Sequence, residues 1–219
     1  MSHPRGLDFQ LREPADEPQG ALVLLHGRGA DEHDLQPLIE YLDPDRRLVA
    51  VTPGGPLNLP PGGRHWYVVE RVGYPDPDTF KSSYELLEQM LEDLPEQIGV
   101  GLERTVIGGF SQGSVMAYAL SFGRGRPSPA GVLALSGFIP TVAGFDIELE
   151  DREGVAVAIG HGSLDPVIPV EFGRQAAERL ASAGLAVNFR ESPIGHGIDP
   201  GFVNELAGWL PETLNPDSQ

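Results

Sequence analysis

Thr105-Val106-Ile107-Gly108-Gly109-Phe110-Ser111-Gln112-Gly113 joins an apolar run to a segment of helical character, and its reading decides the fold. A serine at a sharp strand-to-helix turn must adopt a strained backbone. Glycines two residues before and after it leave room for neighbouring main chain to pass close by. The hydroxyl then stands exposed above the sheet edge. The N–H of Gln112 opens the new helix, where the positive end of the macrodipole can stabilise a developing oxyanion. A tight turn that happens to contain serine would look the same in isolation, so the flanking strand and helix carry the weight.

Outward from this turn, short apolar runs alternate with helix-period segments along the whole chain, the pattern of βαβ units around a mostly parallel sheet. The runs are Leu7–Leu11, Ala21–Leu25, Leu48–Thr52, Thr105–Gly109, Val132–Leu135, Val155–Ile159 and Val187–Glu191. Helices are expected over Leu35–Leu42, Lys81–Ile98 with a kink at Pro95 and a stop at Gly99, Gln112–Phe122, Val170–Ala183, and Pro200–Leu210. Residues 53–78 interrupt the alternation. With six prolines, five glycines, Trp66, Tyr67 and Tyr74, this segment reads as a cover over a binding cleft.

The 219 residues suit one α/β domain spanning positions 1–219. There is no cysteine, which excludes disulfides, thiolate catalysis and Cys-ligated metal. The net charge of −17, from 32 acidic against 15 basic residues, opposes binding to nucleic acid or anionic bilayers. Arg124 and Arg126 are read as solvated charge. No apolar stretch is long enough for stable membrane insertion, and Met1–Gly6 carries no apolar signal core, so a cytoplasmic protein is expected. Self-association into a homodimer is compatible with the sequence.

Serine is a poor nucleophile alone and needs a base with a group to orient it. In α/β-hydrolase chains the acid and then the histidine follow the serine. Of His3, His26, His33, His65, His161 and His196, only the last two follow Ser111, and His196 lies in a glycine-flanked loop past the last strand. His196 is therefore the expected base. Asp165 follows the strand Val155–Ile159 at the edge where open α/β sheets bind ligands, and is the expected orienting carboxylate. Asp199, at a helix start, reads as a cap. A second oxyanion donor is expected from the N–H of Arg28 in Leu25-His26-Gly27-Arg28-Gly29, with His26 beneath that loop. This stretch lacks the third glycine of a dinucleotide fingerprint, and no H-E-x-x-H is present. No metal or organic cofactor is expected.

Taken together, Leu25-His26-Gly27 with Gly29 and Asp31, Trp66, Gly108–Gly113, Leu135–Pro140, His161-Gly162 with Asp165-Pro166-Val167, and Gly195-His196 resemble the phospholipase/carboxylesterase family of α/β-hydrolases. The resemblance spans most of the chain in order. It implies the triad Ser111, Asp165 and His196, with the N–H groups of Arg28 and Gln112 as the oxyanion hole. Two positions depart from the family pattern. Val68 replaces the aspartate commonly found after the aromatic that follows the tryptophan, and Arg28 stands where thioesterase members usually carry a smaller or apolar residue; it is read as pointing to solvent, with attraction of acidic substrates as the alternative. The expected reaction is acyl transfer from a small ester, its acyl group against Leu57, Trp66, Phe138, Val167 and Ile168. An acyl-protein thioesterase or lysophospholipase-like activity is the alternative among enzymes, and a catalytically silent binding protein the alternative outside them.

Overall fold

The computed structural model describes residues 6–215; His3 and the rest of Met1–Arg5 lie outside them. In chain order the elements are β1 (Phe9–Arg12), β2 (Gly20–Leu25), α1 (Gln36–Leu42), β3 (Leu48–Pro53), β4 (Leu57–Asn58), β5 (Arg64–His65), β6 (Val69–Arg71), β7 (Tyr74–Pro75), α2 (Pro77–Ile98), β8 (Thr105–Phe110), α3 (Gln112–Phe122), β9 (Gly131–Leu135), β10 (Ala156–Gly162), α4 (Glu171–Ser182), β11 (Ala186–Ser192) and α5 (Pro200–Leu214). Seven strands form one sheet in the order β1-β3-β2-β8-β9-β10-β11. All neighbours are parallel except the edge pair β1 and β3.

Every residue of β2 and β3 is buried, as interior parallel strands covered on both faces require. Alternation then divides the core. Val23 and Leu25 pack with Leu87 and Leu91 of α2 and Val115 of α3, whereas Leu22 and Leu24 pack with Ile39 of α1 and Leu206 of α5. A third cluster joins Val157 and Ile159 of β10 to Tyr118 of α3 and Leu180 of α4. Helix α3 is buried over all 11 of its residues, which explains its nearly uniform apolar character.

Helix α2 begins at Pro77, four residues before its expected start. Asp76 caps it by accepting from the Thr79 N–H, Pro77 fills a position that needs no donor, and the helix runs through Pro95 to a left-handed Gly99. The irregular segment therefore ends at Asp76, and it contains the short hairpins β4–β5 and β6–β7. Arg126 also departs from its reading as solvated charge. It is buried, and its guanidinium meets Glu88 and Glu92 of α2. No helix among the described residues is long and apolar enough to cross a membrane.

Candidate active site

Ser111 stands between the end of β8 and the first residue of α3 with φ 55° and ψ −119°, a conformation rare for a residue with a side chain. The turn is held because its N–H donates to the Leu135 carbonyl at the end of β9. Gly113 cannot be replaced freely: a Cβ there would lie 1.9 Å from the Leu25 carbonyl oxygen. The tight turn thus presses the first turn of α3 against the end of β2.

The Ser111 hydroxyl lies 2.9 Å from His196 Nε2, and His196 Nδ1 lies 2.7 Å from Asp165 Oδ2. In the arrangement these contacts permit, the serine O–H donates to Nε2 while Nδ1–H donates to the carboxylate. The other carboxylate oxygen accepts the N–H groups of Val167 and Ile168 at 2.8 and 2.9 Å. Asp165 thus makes the Asx turn expected of an aspartate before proline and, with its second oxygen, orients the imidazole. Its side chain is fully buried, and that of His196 is 17% exposed.

Backbone bonds bring the acid and histidine loops together. Ser163 N–H donates to the Ser192 carbonyl, and Leu164 N–H to that of Ile194. Ser136, buried with φ 50°, donates its hydroxyl to the Gly197 carbonyl beside His196, whose ring packs 4.9 Å from that of Phe110. His161 sits beneath the acid: its Nε2 is 2.9 Å from the Ile168 carbonyl and 3.6 Å from Asp165 Oδ2. Asp199 caps α5 by accepting from Gly201 and Phe202, and a hydrogen bond from Ser192, before any other cause, holds its carboxyl below the usual range.

The N–H of Gln112 lies in the first turn of α3, where helical backbone donors have no intrahelical partner. The N–H of Arg28 makes no hydrogen bond to a described residue, and both residues line the cavity beside Ser111. His26 holds the loop before Arg28 in place. Its Nε2 accepts the Gly55 N–H at 2.8 Å, and the other ring nitrogen faces the Gly27 carbonyl at 2.7 Å. Burial, only partly opposed by that carbonyl and by Asp34, Asp31 and Glu32, holds the imidazole below its ordinary value.

The cavity measures about 360 Å³. Val69, Val72, Phe138, Val167 and Ile168 give it apolar walls, and Tyr67 and Pro75 add to them. Two expected wall residues lie elsewhere. Trp66 is wholly buried, its indole N–H donating to the His26 carbonyl, so it supports the site from beneath. Leu57 pairs with His65 on the β4–β5 hairpin, away from the cavity. Arg28 is exposed as expected but also borders the cavity. A smaller hollow near Gln19 and Leu48 lies at the opposite sheet edge, where strands β2 and β3 begin.

Sequence reading missed the side chain of Gln112. Its amide accepts from the Trp66 N–H and donates to the Tyr67 carbonyl, tying the irregular segment to the turn that carries Ser111. Ser136 was legible only as part of a motif, because a hydroxyl aimed at a backbone carbonyl 61 residues away leaves no local signal.

A mostly parallel sheet with helices on both faces and a serine at the β8–α3 turn defines the α/β-hydrolase class. Residues 8–214 match the phospholipase/carboxylesterase family, and the chain belongs to it. Acyl-protein thioesterase 1 of Debaryomyces hansenii is 30% identical over 188 residues, covering 80% of this chain and 77% of that protein. Lysophospholipase-like protein 1 of Mus musculus is 25% identical, with 90% and 88% covered. Among solved structures, the Bacillus cereus carboxylesterase superposes with a TM-score of 0.83 at 22% identity over 94% of each chain, and esterase PE8 with 0.78 at 27% identity over 95% of this chain and 99% of that one.

Proposed function

We propose that the protein is a serine carboxylesterase that cleaves short- to medium-chain esters through Ser111, His196 and Asp165. The observation that carries this reading is the unbroken chain of contacts from the Ser111 hydroxyl through His196 to Asp165. His196 Nε2 takes the hydroxyl proton as Ser111 Oγ bonds to the acyl carbon, and the oxyanion is met by the N–H groups of Gln112 and Arg28. As the intermediate collapses, the imidazolium returns the proton to the leaving alcohol. Water then repeats the sequence on the acyl-enzyme, releasing the acid and restoring Ser111. Asp165 keeps Nδ1 protonated and stabilises the charged imidazole. The cavity lies near the lower limit for small-molecule sites, which favours modest acyl groups.

Thioester cleavage is the second reading, favoured by relatives named acyl-protein thioesterase. The same residues serve it, because only the leaving atom changes. Matched oxygen and sulfur esters of increasing acyl length separate the two. In either case Ser111→Ala should reduce kcat by about 10³-fold or more and abolish labelling by a fluorophosphonate, with unfolding little changed. Substantial hydrolysis by that variant would refute the assignment.

A further inference from the structure

Among the described residues, the cavity beside Ser111 is lined by two that bear a guanidinium, Arg28 and Arg71, and by no carboxylate. That composition runs against the rest of the chain, whose acidic residues outnumber its basic ones by 32 to 15. Most other arginines are ion-paired, Arg12 with Asp43, Arg64 with Asp8 and Arg174 with Glu191 among them. Neither Arg28 nor Arg71 has an ion-pair partner among the described residues. Arg71 is nonetheless held in place. Its guanidinium carbon stands 3.6 Å above the centre of the Tyr74 ring, which braces the cation on the β6–β7 hairpin without neutralising it.

An unpaired guanidinium in a field this negative stays free for an outside anion, and its planar fork suits carboxylate or phosphate oxygens. Two of them at the cavity, next to apolar walls and the serine hydroxyl, make a locally positive entrance in an otherwise repelling surface. From this we infer that the preferred substrate carries an anionic group, carboxylate or phosphate, held by Arg28 and Arg71 while the ester carbonyl meets Ser111. This rests on the hydrolase reading given above and narrows its substrate class. Neutral esters of the same length bind the apolar walls but forgo both cationic contacts.

The test compares kcat/KM within two matched pairs: p-nitrophenyl valerate against mono-p-nitrophenyl glutarate, and phenyl valerate against 4-valeryloxybenzoate. The first pair places the charge on the acyl half and the second on the leaving half. Because each readout is a ratio, a general loss of activity cancels. The anionic member of at least one pair should be preferred by roughly tenfold, a few-fold for each partly exposed ion pair. That ratio should fall toward parity in Arg28→Gln/Arg71→Gln and at high salt. Parity in both pairs for the unmodified protein, or a preference that survives both substitutions, overturns the proposal. Competition on the neutral ester by glutarate and by inorganic phosphate tells carboxylate from phosphate. If no ester is cleaved, the hydrolase reading falls alone, and calorimetric titration with glutarate and with phosphate still decides the anion site: binding that the double substitution removes upholds it, and no binding of either anion overturns it.

Discussion

The sheet edge carrying Ser111, Asp165 and His196 and the segment from Gly54 to Asp76 border one cavity but differ in the balance of their fastenings. Main chain bonds to main chain along the edge, as when Ser111 donates to Leu135, Ser136 to Gly160 and Ser163 to Ser192. The segment is tied by main chain at Arg64, which exchanges bonds with Gly29 and Ala30, but around Trp66 the fastenings are side chains. The Gln112 amide grips Trp66 and Tyr67, the Ser83 hydroxyl meets the Trp66 carbonyl, and His26 receives the Gly55 N–H. Backbone fastenings survive most substitutions, whereas side-chain fastenings change with every one. The shape of the edge thereby depends less on side chains than does the segment around Trp66.

The harshest way to break this contrast is Gly113→Ala. Its new methyl would collide with the Leu25 carbonyl, so the variant should lose more than about 3 kcal/mol of stability, or fail to fold, in denaturant titrations. A variant of unchanged midpoint would show that the edge yields more easily than its contacts imply. Gln112→Leu attacks the other region. It strands the buried Trp66 N–H and leaves the Tyr67 carbonyl with only His65 Nδ1 opposite it, costing about 2 kcal/mol, and should lower kcat/KM by roughly tenfold, mainly through KM, while fluorophosphonate still labels Ser111. Loss of labelling in a folded variant would mean that the two regions are not separable in this way.

The mildest effect is one of pH. Because burial keeps His26 neutral in the native state, the unfolded chain binds the proton first as pH falls below the ordinary 6.5. The stability from this residue is therefore whole above that value and is lost as pH drops toward the lowered native one. Protonation would also put a hydrogen on Nε2, where the Gly55 N–H now points. Melting temperatures should fall as pH drops below about 6.5, and the slope there should flatten in His26→Gln. Asp199 and Glu191, whose carboxyls are also held low, act only at more acid pH. An equal slope in both proteins would assign the effect elsewhere.

All seven strands of the sheet were legible in the sequence: the inner parallel strands as nearly unbroken apolar runs such as Ala21–Leu25, and the partly exposed edge strands β1 and β11 as shorter, mixed runs. The hairpins β4–β5 and β6–β7 were not, since pairs of two or three residues are too short to show a period. The first turn of α2 was hidden because Asp76-Pro77 suits a loop as well as a helix start. At the site, chain order and strand ends single out Ser111, Asp165 and His196, and the structure brings these three within hydrogen-bond reach. Trp66 was misplaced for a physical reason: an aromatic side chain below a cleft and one facing it leave the same local pattern, and only packing against His26 separates them. Long-range fastenings such as that of Ser136 need the folded chain to become visible.

The contact between Gly113 and the Leu25 carbonyl welds the start of α3 to the strand that leads into Arg28, so both backbone donors shift as one body. Changes of loop length are consequently barred from residues 25–29 and 109–113, where adding a single residue would pull the pair apart. The β6–β7 hairpin, whose Val69, Arg71, Val72 and Gly73 border the cavity, lies outside both barred stretches, so new specificities should arise there by insertion.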